Sequence, residues 1–452
     1  MSRSMELYGA ENRRSVTFPE LLEQAQQYMS QNYSKLLGEK NSPQKKEKML
    51  SYLRKFLADQ NLSVQEMTLE ELPLRLYEEM AEYSFLTPLL NGSHTDWEEI
   101  NINRWDDTKI SYCDGRVERS KQQFLSPQHA EDVIRRLLRQ SGIVLDEARP
   151  LVRGHLNNKI RATVIGRPVI DFEAGISVSI RYINPEHLGE ADFIGNGTAT
   201  EEMLDTLSTL YRYGASMCLA GATGTGKTTL MSWILSTLPN RKRIYTIENT
   251  TREFDLVIRD ENGHVLNNVI HTVTRDSDDP KQCVTEQMLL EQGLTFDPDY
   301  ICMAEMKGSE AFETQEAART GHAVISTVHA DSCEEIYDRL LDLCSLKGTL
   351  SGELLKLSIA KAFPITFFIR KMEDNVRRIT EICECEVTEN GMRIMHTLYR
   401  FRTIQNRIQN GKTVVDGCFE RVETLSGRLQ QKLRDNGIPE DLLQTMVGGD
   451  VA

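Results

Sequence analysis

The stretch SMCLAGATGTGKTTL, Ser216 to Leu230, decides how the rest of this chain is read. A short apolar run leads into GATGTGKT, Gly221 to Thr228, which satisfies the spacing G-x-x-x-x-G-K-[ST]. The loop opens a helix whose Leu230, Ile234, Leu235 and Leu238 recur on one face until Pro239 stops it. Strand, glycine loop and helix in that order build an anion cradle. Gly221, Gly224 and Gly226 let the backbone curl so that main-chain N–H groups converge, and the helix N-terminus adds positive potential. The segment Gly221, Ala222, Thr223, Gly224, Thr225, Gly226, Lys227, Thr228 and Thr229 is therefore read as phosphate-binding. Lys227 is placed to bridge the β- and γ-phosphates of ATP, and the Thr228 hydroxyl to hold Mg2+. The competing reading, a plain glycine turn, does not account for the flanking strand and helix.

A phosphate loop needs carboxylates to complete the Mg2+ shell and to orient water. Glu305 follows the apolar run YICMA, 300 to 304, where such an acid belongs at a strand end. Glu248 ends RIYTIE, the next strand after the loop's helix, and Glu253 stands close behind it. Solvated surface acids are the alternative for each. His322 and His329 bracket the strand-like AVISTV. Lone histidines are usually structural, but a pair at a strand's two ends beside this sheet is a candidate reporter of the γ-phosphate.

Outward from the loop, apolar strand-like runs alternate with helix-like runs: SMCLA, LMSWILSTL, RIYTI, a helix near 284 to 293, YICMA and AVISTV. That alternation implies βαβ units and a parallel sheet, an α/β fold over residues 201–370. A tail over 371–452 adds strand-like RRITEICECEV and MHTLYRF and a short helix in RLQQKLRDNG. Residues 186–200 are polar and Gly-containing and read as a linker. Residues 76–185 read as a smaller α+β domain. Within it Asp114-Gly115 signals a hairpin, a helix carries Val133, Ile134, Leu137 and Leu138, and ATVIG, PVIDF and SVSIRYI are strand-like. Residues 1–75 read as amphipathic helices: one stripe of Phe18, Leu21, Leu22, Ala25 and Tyr28, a second of Met49, Leu50, Leu53, Phe56 and Leu57, and a third helix opened by the capping box Thr68 to Glu71.

The totals narrow the classes. With 452 residues, 40% hydrophobic and 27% charged, the chain is long enough for two to four globular domains and is not broadly disordered. Its 53 basic and 67 acidic residues leave a net charge of -14, which disfavours a dedicated nucleic-acid binder. No run reaches the roughly 18 apolar residues of a spanning helix, and the first residues carry no apolar export core, so a soluble, cytosolic chain is expected. Nine cysteines lie between Cys113 and Cys418 without CxxC spacing, which fits reduced thiols. Cys383 and Cys385, at i and i+2 on a strand, read as buried apolar residues, with a metal pair as the alternative.

The segments GATGTGKTT, IYTIENTTREFDL, FDPDYICMAEMKGSEAFE and TGHAVISTVHADS, in that order, resemble the type II/type IV secretion ATPase superfamily. FLTPLL, NNKIRATVI and SIRYI are similar to its N-terminal domain. The C-terminal RRITEICECEV, LYRFR and GCFERVETLSGRLQQKLRDNGI look like the Tad (tight-adherence) pilus branch, the CpaF-like proteins. The resemblance implies a RecA-like motor domain, a smaller PAS-like α+β domain, and a homo-hexamer that hydrolyses ATP with Mg2+. It further implies work on an inner-membrane platform protein from the cytoplasmic face, with no direct nucleic-acid partner. Carried over onto matching positions, it makes Lys227 and Thr228 phosphate-loop residues, Glu305 the strand-end glutamate that with Thr228 holds the metal, and Glu248 the acid that positions water or Mg2+. It makes Arg161 and Arg181 arginines that clamp phosphates, a role that suits a guanidinium fork. Asn249 departs from the family's usual Asp, Ala304 from its Gly and Lys307 from its Arg; the lost carboxylate moves attention to Glu253 as the base. The four-cysteine zinc subdomain that many relatives carry is missing. Conjugative-transfer ATPases, DNA-translocating motors and nucleotide-gated scaffolds without turnover are the rival readings.

Overall fold

A computed structural model describes residues 13–38, 42–65, 67–91, 96–112, 115–157, 159–183, 188–250, 252–275, 277, 279–347 and 352–448. The chain divides into two compact units, Met1–Asn184 and Pro185–Ala452.

In the first unit the apolar stripes read from the sequence form helices Phe18–Gly38, Pro43–Asp59 and Glu71–Ala81. Leu21, Leu22, Ala25, Met49, Leu53, Phe56 and Leu57 are buried against Leu72 and Leu76, so these faces pack on one another. The Thr68 hydroxyl accepts from Glu71 N at 3.2 Å and the Glu71 carboxylate from Thr68 N at 3.0 Å, the reciprocal capping box. Two short strands, β1 (Arg14–Val16) and β2 (Leu62–Val64), pair beside these helices. The expected boundary at residue 75 falls inside helix Glu71–Ala81.

Next come β3 (Trp97–Arg104), β4 (Asp107–Tyr112), β5 (Val117–Arg119), β6 (Leu151–Asn157), β7 (Ile160–Ile165) and β8 (Ser177–Tyr182). They form an antiparallel sheet in the order β5-β4-β3-β8-β7-β6. Helix Pro127–Gln140 buries Val133, Ile134, Leu137 and Leu138 with Ile100, Ile102, Val164 and Ile180 in one core. Alternation on β7 and β8 sends Ile160, Ala162, Val178 and Ile180 to that core and leaves Arg161 and Arg181 on the other face. β4 and β5 pair as the hairpin reading requires, but Asp114 lies outside the described residues. PVIDF is not a strand. Its Asp171 carbonyl accepts from Ala174 N and Gly175 N as a turn, and Val169 and Phe172 are exposed, because Pro168 offers no ladder N–H.

The second unit carries β9 (Met217–Ala220), β10 (Arg243–Glu248), β11 (Asn268–Val273), β12 (Tyr300–Met303), β13 (Ala323–Val328), β14 (Ile365–Lys371), β15 (Arg377–Val387), β16 (Arg393–Gln409) and β17 (Lys412–Arg421). Among the described residues they make one sheet, ordered β11-β10-β12-β13-β9-β14-β15-β16-β17. The first six are parallel, and all but the half-exposed edge strand β11 are largely buried runs; the last three are antiparallel. Residues 371–452, expected as a separate subdomain, extend this same sheet, and the boundary at 370 falls within β14. The expected linker holds a helix, Glu190–Gly195, whose Phe193 packs edge-on against Trp233. No described helix is long and apolar enough to cross a membrane.

One buried acid ties the first unit together. Glu79 sits in helix Glu71–Ala81 and contacts Arg75 at 2.9 Å, Ser84 Oγ at 2.9 Å and His129 Nε2 of helix Pro127–Gln140 at 3.1 Å. Burial raises its carboxyl, but the close His129 imidazole, the Ser84 hydrogen bond and the Arg75 charge outweigh that and hold it below the usual carboxylate range. A depressed acid stabilises the fold above its unfolded pKa, and the gain is lost as pH falls through the lowered folded value. Calorimetry of the full chain should therefore show a transition that weakens below about pH 4, and Glu79→Gln should flatten that acid limb. An identical acid limb in the variant would contradict the assignment.

Candidate active site

β9 ends at Ala220 and the chain turns at once into the glycine loop. A side chain at Gly221 would place its Cβ 2.3 Å from the Ile369 carbonyl oxygen of β14, so only glycine fits this approach. Gly226 holds φ +92°, the left-handed conformation that redirects the loop into helix Lys227–Ser236. Leu230, Ile234 and Leu235 of that helix are buried, so the helix is anchored from below while Ala222, Thr223 and Thr229 stay exposed above. Lys227 Nζ donates to the carbonyl oxygens of Gly221 at 2.6 Å and Ala222 at 2.9 Å, and Thr225 Oγ1 to Ala222 O at 2.9 Å. The lysine is thus folded over its own loop.

The acid that ends β10 and the acid of the loop after it face different ways. Glu248 is 1% exposed, and its Oε2 accepts both from Glu253 N and, at 2.9 Å, from Phe254 N. His271 Nδ1 lies 3.8 Å from its other oxygen. A carboxylate turned inward onto two successive N–H groups fixes the path of the loop that follows it. Glu253 emerges from that loop, and its Oε2 accepts from Thr228 Oγ1 at 3.3 Å. The structure therefore brings Glu253, rather than Glu248, to the hydroxyl of the phosphate loop. Asn249 points elsewhere, donating to Glu286 Oε1 at 2.7 Å. An aspartate there would set two carboxylates against each other, which gives the departure from Asp a local reason.

β12 delivers Glu305 to the same edge of the sheet. Its carboxylate meets Lys307 Nζ at 2.8 Å and His329 Nε2 at 2.9 Å, the histidine arriving from the end of the neighbouring β13. His322 precedes β13 and so lies at the opposite sheet edge, where its carbonyl accepts from Ser216 Oγ at 3.4 Å. It is not part of this constellation. In the first unit Arg161 and Arg181 are direct cross-strand partners of β7 and β8, with Glu98 Oε1 3.9 Å from Arg181.

Sequence reasoning missed Arg377. β15 runs antiparallel to β14, so its first residue returns to the loop's edge of the sheet. There Arg377 Nε donates to Gly224 O at 3.1 Å, and its Cδ lies 3.4 Å from where a Cβ of Gly226 would stand. The signal lies in RRITEICECEV, where two arginines open a strand-like run. Beside the loop a cavity of about 470 Å3 is lined by Ala222, Thr223, Asp331, Arg370, Lys371 and Met372.

A family model described as a type II/IV secretion system protein, T2SSE, matches residues 154–437, more than half of the chain. A Mycobacterium tuberculosis (strain ATCC 25618 / H37Rv) protein, named provisionally for conjugal transfer, is 24% identical over 314 residues, 68% of this chain and 85% of that protein. The type IV secretion system protein PtlH of Bordetella pertussis is 35% identical over 141 residues, 31% of this chain and 40% of PtlH. The crystal structure of the VirB11 ATPase from the Brucella suis type IV secretion system overlaps 66% of this chain and 94% of its own at 22% identity, with a TM-score of 0.33, too low to bear on the fold. The matched stretch holds the glycine loop, Glu253, Glu305 and His329 together, and the chain belongs to the type II/IV secretion system protein family.

Proposed function

We propose that this protein is an ATP hydrolase acting as a homo-hexameric ring. In this reading it powers assembly of a Tad-type pilus, or protein secretion, through an inner-membrane platform protein. The observation that carries the reading is the Thr228–Glu253 contact beside the glycine loop, a hydroxyl and a carboxylate converging where a γ-phosphate and its water would lie. Main-chain N–H groups of the loop bind the phosphates, and Lys227 exchanges the carbonyl oxygens of Gly221 and Ala222 for phosphate oxygens. Glu253 orients the attacking water, held in place by the buried Glu248. Thr228 and Glu305 offer oxygen ligands that suit a hard cation, and Mg2+ there would neutralise charge on the phosphates. His329, paired to Glu305, couples the state of that edge to helix Cys333–Ser345. Arg161 and Arg181 are assigned to phosphate charge, which a guanidinium stabilises without deprotonating. The protein then works at the cytoplasmic face of the membrane, held there by its partner.

The conjugative reading is supported by the mycobacterial relative, whose name points to conjugal transfer and which this chain spans over 85% of its length. Loss of surface pili on deletion, with plasmid transfer intact, would favour the Tad-type reading; the reverse would favour conjugation. A DNA-translocating motor fits poorly with a net charge of -14, and salt-sensitive binding to duplex DNA would be needed to revive it. The scaffold reading loses its main support, since Asn249 is engaged by Glu286 and Glu253 supplies a carboxylate.

Substitutions should separate the roles. Lys227→Ala should abolish nucleotide binding or turnover. Glu253→Gln and Glu305→Gln should keep ATP bound while hydrolysis falls at least tenfold, about 1.4 kcal/mol in the barrier. Glu248→Ala should also cost about 2 kcal/mol of stability, because the buried Phe254 N–H and the part-buried Glu253 N–H lose their acceptor. Equal loss of ATP affinity in all of them, by equilibrium titration, would contradict this division.

The ring is tested by mass action. Specific activity should rise with protein concentration, and sedimentation with a Mg·ATP analogue should approach six copies. Full-rate hydrolysis by a sample shown to be strictly monomeric would replace the ring motor with a monomeric switch.

A further inference from the structure

The cysteines of β15 do not pair with each other. The Cys385 thiol adjoins the Tyr337 hydroxyl, whereas the Cys383 thiol meets Cys333, the first residue of helix Cys333–Ser345. The Sγ atoms of Cys333 and Cys383 and a carboxylate oxygen of Glu381 all lie within 4.8 Å of one another. Cys333 is 1% exposed and Cys383 4% exposed. Glu381 shares a strand face with Cys383 and accepts from Cys333 N at 3.3 Å, so the carboxylate is oriented toward the thiols by the start of the helix.

A second observation points at the same spot. Thr366 of β14 stands directly across from Cys383 in the strand register and is fully buried. Its hydroxyl lies against the Cys333 thiol and the Tyr337 hydroxyl, yet makes no hydrogen bond of proper geometry to either. Buried hydroxyls are rarely left so, because the missing partner costs about 1–3 kcal/mol.

We propose that Cys333, Cys383 and Glu381 form a binding site for a single thiophilic divalent cation of the Zn2+ class, with the Thr366 hydroxyl or a water at the fourth position. The donor chemistry selects the ion. Two thiolates disfavour Mg2+ and Ca2+, which take oxygen ligands, and favour zinc-like ions that accept mixed sulfur and oxygen sets. Tetrahedral geometry with Zn–S near 2.3 Å requires the sulfurs to stand roughly 3.8 Å apart, so they need close by no more than about 1 Å. Both thiols must give up their protons to the solvent as the ion binds, two per ion, so affinity rises steeply with pH. Burial pushes the Cys333 thiol up. The bound ion would pin the helix that begins four residues after His329 to the strand whose Arg377 touches the glycine loop.

The test uses the full-length chain, reduced and stripped with a chelator, and Co2+ as a spectroscopic stand-in. One Co2+ per chain should produce a thiolate-to-metal absorption in the near ultraviolet and the visible bands of a tetrahedral site. Zn2+ should displace it, with proton release and a raised melting temperature. Cys333→Ser and Cys383→Ser should each remove the thiolate band, while Cys283→Ser, a partly exposed cysteine away from the cluster, should retain it. Absence of the band in the unmodified chain, which does not depend on any variant folding, would overturn the proposal. So would a band that survives both serine substitutions.

Discussion

The sheet edge that carries the glycine loop depends on a carboxylate that is turned away from solvent. Glu248 closes β10 with its side chain turned into the protein, and there it accepts from the backbone of Glu253 and Phe254. Two N–H groups satisfy its Oε2, while Oε1 is buried with only His271 Nδ1 nearby, at 3.8 Å. The same bonds fix the path of the loop: Phe254 is driven to 1% exposure as a plug, and Glu253 is left facing Thr228. A flexible acid at the end of this strand would be free to swing into solvent. A braced one holds its place.

Parallel strands supply the second constraint. All six parallel strands send their C-terminal ends to one edge, and that edge collects the glycine loop after β9, Glu248 after β10, Glu305 after β12 and His329 after β13. The glycine at 221 is the point where this packing is tightest, since the Ile369 carbonyl of β14 occupies the space a side chain would need. The antiparallel strands then reuse the edge from the other side. Because β15 runs backward, its first residue, Arg377, lands on the loop, and Glu381 and Cys383 follow deeper along the strand.

Much of this was legible. The glycine loop, the parallel strands and the helices of the first unit announce themselves because each is periodic or has a fixed spacing, and such patterns survive without tertiary information. Side-chain direction at strand ends is different. Nothing in IENTTREF says that Glu248 turns inward and Glu253 outward, since the outcome rests on a left-handed φ of 47° at Thr250 and on bonds to residues five and six positions later. Long-range partners were equally hidden: Cys383 meets Cys333, fifty positions away, rather than its neighbour Cys385. The long β16–β17 hairpin was the avoidable omission, for Asn410 and Gly411, both at positive φ, are a strong turn signal. The reading of PVIDF as a strand failed for the converse reason, an apolar run mistaken for a ladder that its proline cannot join.

The arginines of the first unit carry the same logic to a different sheet. Arg161 and Arg181 oppose each other in register, and like charges set directly across a ladder work against pairing. Glu99, the partner of Arg181 on its other side, accepts from Ser179 Oγ at 2.6 Å, and Glu98 stands 3.9 Å from Arg181. The register is nevertheless fixed, because slipping it by one residue would carry both guanidinium groups into the core now filled by Ile160, Ala162 and Ile180. Hydrophobic burial on one face therefore sets the two guanidinium groups across from each other on the opposite face, with Glu98 and Glu99 beside Arg181. The force that holds these two cations side by side comes from the apolar residues beneath them rather than from the charges themselves.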